Sequence, residues 1–283
     1  MPINATTTSQ RVAIVGCGWL GLPLAKQLTQ SGFQIVGTAR STSKIETLKK
    51  QGIEGLPLEL GKLQSNTLKT LTNCDAWVLN IPSGRRTVDP DVFATQMIEL
   101  ITYAKDCAVG HLIFISTTSV YGEQEGRIKE NSTLKPKTPS AIAHQKIEQC
   151  IKSNLRSTST ILRLAGLVDN ERHPVYFLAN KKDISAPSQA VNLIHKQDVC
   201  DAIERLLCVG PQSNPLHLSA TEHPTRKDYY QWAAEQLGLV KPEFARETNK
   251  EFKAKQIDAT DTLSRLGLSL KYPSPYQMLD REM

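Results

Sequence analysis

No apolar run in this 283-residue chain approaches the ~20 residues that a bilayer-spanning helix needs. The first residues, MPINATTTSQR, lack the basic start and apolar core of a secretion signal. A reducing cytoplasm is the expected compartment, with no membrane partner. None of the six cysteines (17, 74, 107, 150, 200 and 208) forms a CxxC or pairs with a nearby histidine at metal-ligand spacing. Most sit in apolar contexts and are expected to be small buried thiols, and no metal site is expected. No basic stretch is interleaved with aromatic residues. The net charge of +6 is spread from Lys44 to Lys255, which argues against a nucleic-acid partner and allows a mild preference for small anions. No internal repeat and no low-complexity segment occurs.

What is present is alternation. Short β-branched runs at 11–16, 33–38, 52–60, 75–81, 111–117 and 157–166 are separated by amphipathic stretches at 20–30, 44–51, 91–105 and 141–154. Strands joined by crossovers of this length predict parallel βαβ units in one α/β, Rossmann-type, doubly wound sheet. After Leu167 the pattern changes. Short strands AVNLIH and PLHLSA alternate with helices near 198–208 and 226–238. The expected organisation is a nucleotide-binding domain over 1–168, to which 191–212 returns, and a smaller C-terminal α/β substrate domain over most of 169–283.

The first crossover carries the strongest motif. RVAIVGCGWLGLPLAKQL places Gly16, Gly18 and Gly21 in GxGxxG spacing, after an apolar strand and at the opening of a helix. Gly16 permits the tight turn, Gly18 lets backbone approach a pyrophosphate, and Gly21 lets the helix lie close to the sheet. Trp19 and Leu20 belong to the same cofactor-binding turn. Free N–H groups and the helix dipole then hold the phosphates.

The second strand lacks the acid that grips a ribose 2′-hydroxyl. No Asp or Glu occurs from Gln34 to Ile45, and the strand runs into Arg40 and Ser41. A guanidinium binds a 2′-phosphate through charge-assisted bonds, so NADP is the expected cofactor and NAD the less expected one. The fourth strand ends in NIPSGRR, whose Asn80 and Pro82 are expected along the cofactor's ribose side. Arg85 and Arg86 follow, either as caps on a ligand anion or as a solvated loop pair.

Together with FISTTSVYG, ILRLAGLV and NLIHKQDVCDAI, these pieces resemble the extended short-chain dehydrogenase/reductases, the NAD(P)-dependent epimerase/dehydratase group, over nearly the whole chain. GCGWLGLPLA, STTSVYG, RLAGLV with RHP, and KYPSP resemble its atypical YeeZ-like branch. The resemblance implies that Thr117 holds the reacting oxygen and that Ser116 joins the cofactor-binding set. It also implies a Tyr-x-x-x-Lys proton donor one helix later. No tyrosine lies between Tyr121 and Tyr176. Aligning on Lys146 puts Ile142 in the tyrosine place. Aligning on Glu148 puts Ser140 there and His144 in the lysine place. The atypical branch shares this loss.

The remaining candidates for the acid are Tyr121, in the strand-five loop, His173, in NERHPVYF, with Arg172 beside it as an anion ligand, and His144 and Ser140 on the dyad's helix; His195 is expected to order the NLIH strand. The residues 169–171 read DNE where the family has GPG. The expected function is an NADP(H)-dependent oxidoreductase acting on a small carbonyl, alcohol or sugar-like substrate. The alternatives are a non-catalytic NADP-binding sensor, and a sugar-nucleotide epimerase or dehydratase. A homodimer through the helices near 91–105 and 141–154 is implied by the resemblance.

Overall fold

A computed structural model describes residues 10–84, 89–246 and 254–279. Eleven strands occur in the described residues: β1 (Arg11–Val15), β2 (Gln34–Ala39), β3 (Glu54–Pro57), β4 (Ala76–Leu79), β5 (His111–Thr117), β6 (Arg127–Ile128), β7 (Ser159–Leu164), β8 (Gly166–Val168), β9 (Leu193–His195), β10 (Gln212–Leu218) and β11 (Gln256–Ile257). Their helices are α1 (Gly21–Gln30), α2 (Thr42–Lys50), α3 (Ser65–Leu71), α4 (Pro90–Asp106), α5 (Pro139–Asn154), α6 (Val175–Leu178), α7 (Lys196–Val209), α8 (Arg226–Gln236) and α9 (Thr260–Leu266). Seven strands form one sheet in the order β10-β7-β5-β4-β1-β2-β3. The expected Rossmann-type α/β fold is the observed one.

The described residues divide into two compact units. The first is drawn from Met1–Ser116, Pro139–Ile161 and Ile203–Asn214, the second from Thr117–Thr138, Leu162–Ala202 and Pro215–Met283. In the first, β1 pairs in parallel with β2 and β4, β2 with β3, and β4 with β5. Val12 to Val15 are all buried, as a strand covered on both faces requires. Helix α1 buries Gly21, Leu24, Ala25 and Leu28, one stripe at helical spacing. Asp89 caps α4 by accepting the Asp91 N–H at 2.8 Å, with Pro90 in the first turn. Trp77, Phe93, Met97, Leu112 and Ile147 anchor the core between sheet and helices.

Register places the functional loops together. Val15 lies opposite Thr38 and Leu79, and Leu79 lies opposite Phe114. Strands β1, β2 and β4 therefore end side by side at one carboxyl edge, which β5 reaches and extends. Edge strand β3 is shorter than its sequence run. It stops at Pro57, which has no N–H to give a ladder.

In the second unit β8 pairs with β9 and β6 with β11, both in parallel. One core gathers Val168, Val175, Tyr229, Tyr230 and Met278, and a smaller one Val120, Tyr121, Ile128 and Ile257. The single run 157–166 is divided here: β7 ends at Leu164, and Gly166 starts β8 with its N–H on the Asn192 carbonyl at 3.0 Å. Of AVNLIH only Leu193–His195 is strand, and of PLHLSA only Pro215–Leu218 lies in β10, at the end of the large sheet.

Candidate cofactor site and strand-five loop

The turn after β1 is built by close backbone packing. Gly16 adopts φ +105°, and a Cβ there would stand 2.5 Å from the Asn80 carbonyl oxygen. At Gly21 a Cβ would stand 2.3 Å from the Gly16 carbonyl oxygen. Neither position accepts a side chain without moving backbone. Gly18 differs: no protein atom lies within 4 Å of where its Cβ would be. The three glycines thus separate into two that pack and one that faces open space. Thr38 holds the turn from the side, its hydroxyl accepting the Gly16 N–H at 3.1 Å and its carbonyl the Cys17 N–H at 2.7 Å. Asn80 donates its side-chain amide to the Gly16 carbonyl at 3.1 Å.

Helix α1 begins at this turn with no side-chain cap and no acidic residue in its first turn. Its leading N–H groups therefore suit an anion. Trp19 is half-buried and Leu20 buried beneath the turn. The Cys17 thiol is buried and bonds the Ile14 carbonyl, and burial pushes its pKa up to about 12. It stays protonated at neutral pH, which disfavours thiolate chemistry. At the end of β2, Arg40 and Ser41 are exposed. Ser41 precedes α2 without capping it and lies 3.3 Å from the Ser43 hydroxyl; α2 also has no acid in its first turn. Pro82 is exposed beyond Asn80, while Arg85 and Arg86 lie outside the described residues.

Strand β5 ends in two hydroxyls with different partners. Ser116 is buried and donates to the Glu148 carboxylate on α5 at 2.7 Å, so its proton is committed inside the unit. Thr117 is half-buried. Its hydroxyl donates to the Ser119 hydroxyl at 3.0 Å and accepts the Ser119 N–H at 3.1 Å, opening a single helical turn over Thr118–Tyr121.

The two expected acids lie in closed networks of the second unit. Tyr121 is fully buried, accepts from Arg163 and lies 2.5 Å from Nε2 of His217. His217 Nδ1 donates to the Asp258 carbonyl at 3.0 Å, so Nε2 receives the Tyr121 hydroxyl. His173 is 1% exposed. Its Nδ1 accepts the Val175 N–H at 3.2 Å and its Nε2 donates to the Tyr229 hydroxyl at 2.8 Å. Burial pushes its pKa down to about 4. Both ring nitrogens are occupied, and the ring is neutral. These are the surroundings of core residues, and neither side chain is open to solvent. Asp169 explains the departure at DNE. Its carboxylate accepts the N–H groups of Glu171 and Arg172 at 2.9 and 2.8 Å and pairs with Lys196, closing the loop without glycine.

The two candidate rows of α5 face different ways. Ile142 is exposed, and Lys146 pairs with Asp91 at 2.7 Å on the outer surface. The row Ser140, His144, Glu148 faces inward. Ser140 meets the hydroxyl of Ser83 at 2.7 Å, His144 bonds the Ser140 carbonyl through Nδ1 at 2.8 Å, and Glu148 holds Ser116. Sequence reasoning left both registers open and passed over Ser83. The signal for Ser83 was its place three residues after Asn80, at a strand end. Among the described residues no group of three or more His, Cys, Asp or Glu side chains is placed to hold a metal, and no helix is long and apolar enough to cross a membrane.

Comparison with known proteins agrees with this geometry. Residues 16–207 match a family described as NAD(P)H-binding. The chain is 37% identical to Protein YeeZ of Escherichia coli K12 over 275 residues, 95% of this chain and 98% of that one. Among solved structures it is similar to UDP-glucuronic acid 4-epimerase from Bacillus cereus in complex with NAD, with TM-score 0.78 and 16% identity over 95% and 96% of the two chains. It is also similar to the Bordetella bronchiseptica enzyme WbmG in complex with NAD, with TM-score 0.79 and 16% identity over 98% and 94%. The chain belongs to the NAD(P)H-binding family and is a relative of Protein YeeZ.

Proposed function

We propose that the protein is an NADP(H)-dependent oxidoreductase of the atypical short-chain type, acting on a small carbonyl, alcohol or sugar-like substrate in the cytoplasm. The observation that carries this reading is the difference among the glycines. Gly16 and Gly21 are packed against backbone, while Gly18 fronts open space at the uncapped start of α1. A pyrophosphate fits that opening, and its charge suits the helix terminus. Asn80 keeps the turn in shape, and Trp19, Leu20 and Pro82 border it. Arg40 and Ser41 favour a 2′-phosphate, which supports NADP over NAD. Ser116 is assigned a supporting part, through its bond to Glu148.

The bound nicotinamide would supply hydride transfer. In this reading the chain's own part is to orient the substrate and manage its proton. Thr117 is the hydroxyl at the strand end whose oxygen can turn toward a reacting oxygen, by exchanging its bond to exposed Ser119. Tyr121 and His173 are assigned structural roles. A homodimer through α4 and α5 belongs to the same reading, with Val92 and Ile142 exposed on those helices.

A second reading, an NADP-binding sensor without turnover, is favoured by one observation: the tyrosine place holds Ser140, whose hydroxyl is already paired with Ser83. One experiment separates the two. NADPH is bound, candidate carbonyls (including sugar-nucleotide ketones) are added, and nicotinamide absorbance is followed. Loss of absorbance with one carbonyl class supports the oxidoreductase. Tight NADPH binding with no loss for any class supports the sensor.

A further inference from the structure

We propose that the proton of this reaction is carried by a cluster joining the end of β4 to α5, made of Ser83, Ser140 and His144, with Nε2 of His144 as the accepting atom. The inference rests on the oxidoreductase reading above.

The cluster includes a residue of the segment that walls the glycine turn. Asn80 is pinned on Gly16, and Ser83 lies three residues further along the same segment. The Ser83 and Ser140 hydroxyls meet at 2.7 Å, and both residues are half-buried, so a ligand can reach them. One helical turn later, His144 Nδ1 lies 2.8 Å from the Ser140 carbonyl. A carbonyl only accepts, so Nδ1 carries the proton. In the neutral ring Nε2 is then a bare acceptor. The rings of Phe93 and Phe114, with centroids 5.9 and 5.8 Å away, fix the imidazole plane. Among the described residues Nε2 has no hydrogen-bond partner.

Three other histidines are differently placed. His111, the second histidine of the first unit, opens β5 at the opposite end of the strand and bonds Thr160. His173 and His217 have both nitrogens engaged.

The surroundings of His144 suit reversible protonation. Burial holds its pKa below the ordinary histidine value, so the ring is neutral and ready to accept at pH 7. Glu148, one turn further on the same row, faces it and stabilises the cation once formed. Packed against it, α4 presents Phe93 and β5 presents Phe114, while Asp91 of α4 is engaged with Lys146 on the outer face. In the oxidative direction the substrate O–H bond breaks and an N–H bond forms at Nε2. With an oxidised nicotinamide bound, that group would take the carbinol hydrogen with its electron pair, leaving a carbonyl. The imidazolium then returns its proton to water. The Ser83–Ser140 pair hydrogen-bonds the substrate oxygen beside it.

The test is nitrogen NMR of the full chain with ¹⁵N-labelled histidine, with and without NADPH, combined with turnover of H144Q. His144 is expected as the neutral Nδ1–H tautomer at pH 7, with its ring signals moved by saturating NADPH. H144Q is expected to bind NADPH within about threefold of the unaltered protein and to lose about 10²–10⁴ in single-turnover rate, the usual range for a general acid–base group. The acid limb of the pH profile should disappear with it. An Nε2–H tautomer, ring signals unmoved by bound NADPH, or unchanged turnover in H144Q would each overturn this assignment alone. No NADPH binding to the unaltered protein would overturn the oxidoreductase reading and this assignment with it.

Discussion

Asn80 and Gly16 hold each other. The Asn80 amide donates to the Gly16 carbonyl at 3.1 Å, and the Asn80 carbonyl oxygen sits 2.5 Å from where a Gly16 Cβ would be. The end of β4 therefore forms one wall of the β1–α1 turn. Substituting Gly16 or Gly21 by alanine should damage the fold before it damages binding. At Gly16 the positive φ alone costs roughly 1–2 kcal/mol, and displaced backbone adds to it. Urea denaturation should show both alanine variants less stable by more than about 1 kcal/mol. Midpoints equal to that of the unaltered protein would mean the turn is looser than described.

Arg40 is an exposed cation at the end of β2, with no acid from Gln34 to Ile45. NADPH is expected to bind more tightly than NADH by about 1.5–3 kcal/mol, the range for a hydrogen bond to a charged group. Arg40→Ala should remove most of that difference. Equal dissociation constants for the two cofactors in the unaltered protein would contradict the assignment.

Thr117 and Tyr121 should behave as opposites. Thr117→Val keeps the side-chain shape and removes the hydroxyl assigned to the reacting oxygen, so turnover should fall about 10²–10³-fold with little change in stability. Tyr121→Phe removes an acceptor from buried Arg163, which should cost about 1–3 kcal/mol of stability and leave turnover per folded molecule intact. The reverse pattern would return Tyr121 to the reaction.

Stability should fall in mild acid. Burial pushes His111 and His173 down to about 4, against an unfolded value near 6.5. Between those values the unfolded chain binds more protons than the folded one, so stability rises with pH there. It is fully present above pH 6.5 and is lost as pH falls toward 4, by up to about 1.4 kcal/mol per pH unit for each histidine. His173→Gln should reduce the slope of stability against pH by about one proton. An unchanged slope would place His173 in water.

The glycine turn was legible in the sequence because each glycine's task is local: one strand, one turn and one helix contain it. The parallel, doubly wound sheet followed from the same alternation, and the order of its strands did not. Which row of α5 faces the sheet was not legible. Rows 142/146 and 140/144/148 of α5 have the same i,i+4 spacing, and only burial against Phe93, Phe114 and Ser116 tells them apart. His173 looked available because its partner, the Tyr229 hydroxyl, lies 56 residues away. The strand pair β6–β11 escaped notice for a related reason. Its members are two residues each and far apart in the chain, too short for a periodic pattern.

The central claim is that a dinucleotide binds across Gly18. Calorimetric titration of NADPH into Gly18→Val tests it most directly. No protein atom stands within 4 Å of the added Cβ, so the variant should fold with an unchanged denaturation midpoint. The side chain would occupy the space that the pyrophosphate needs, and binding should be lost. A folded Gly18→Val protein that binds NADPH as tightly as the unaltered chain would contradict the account.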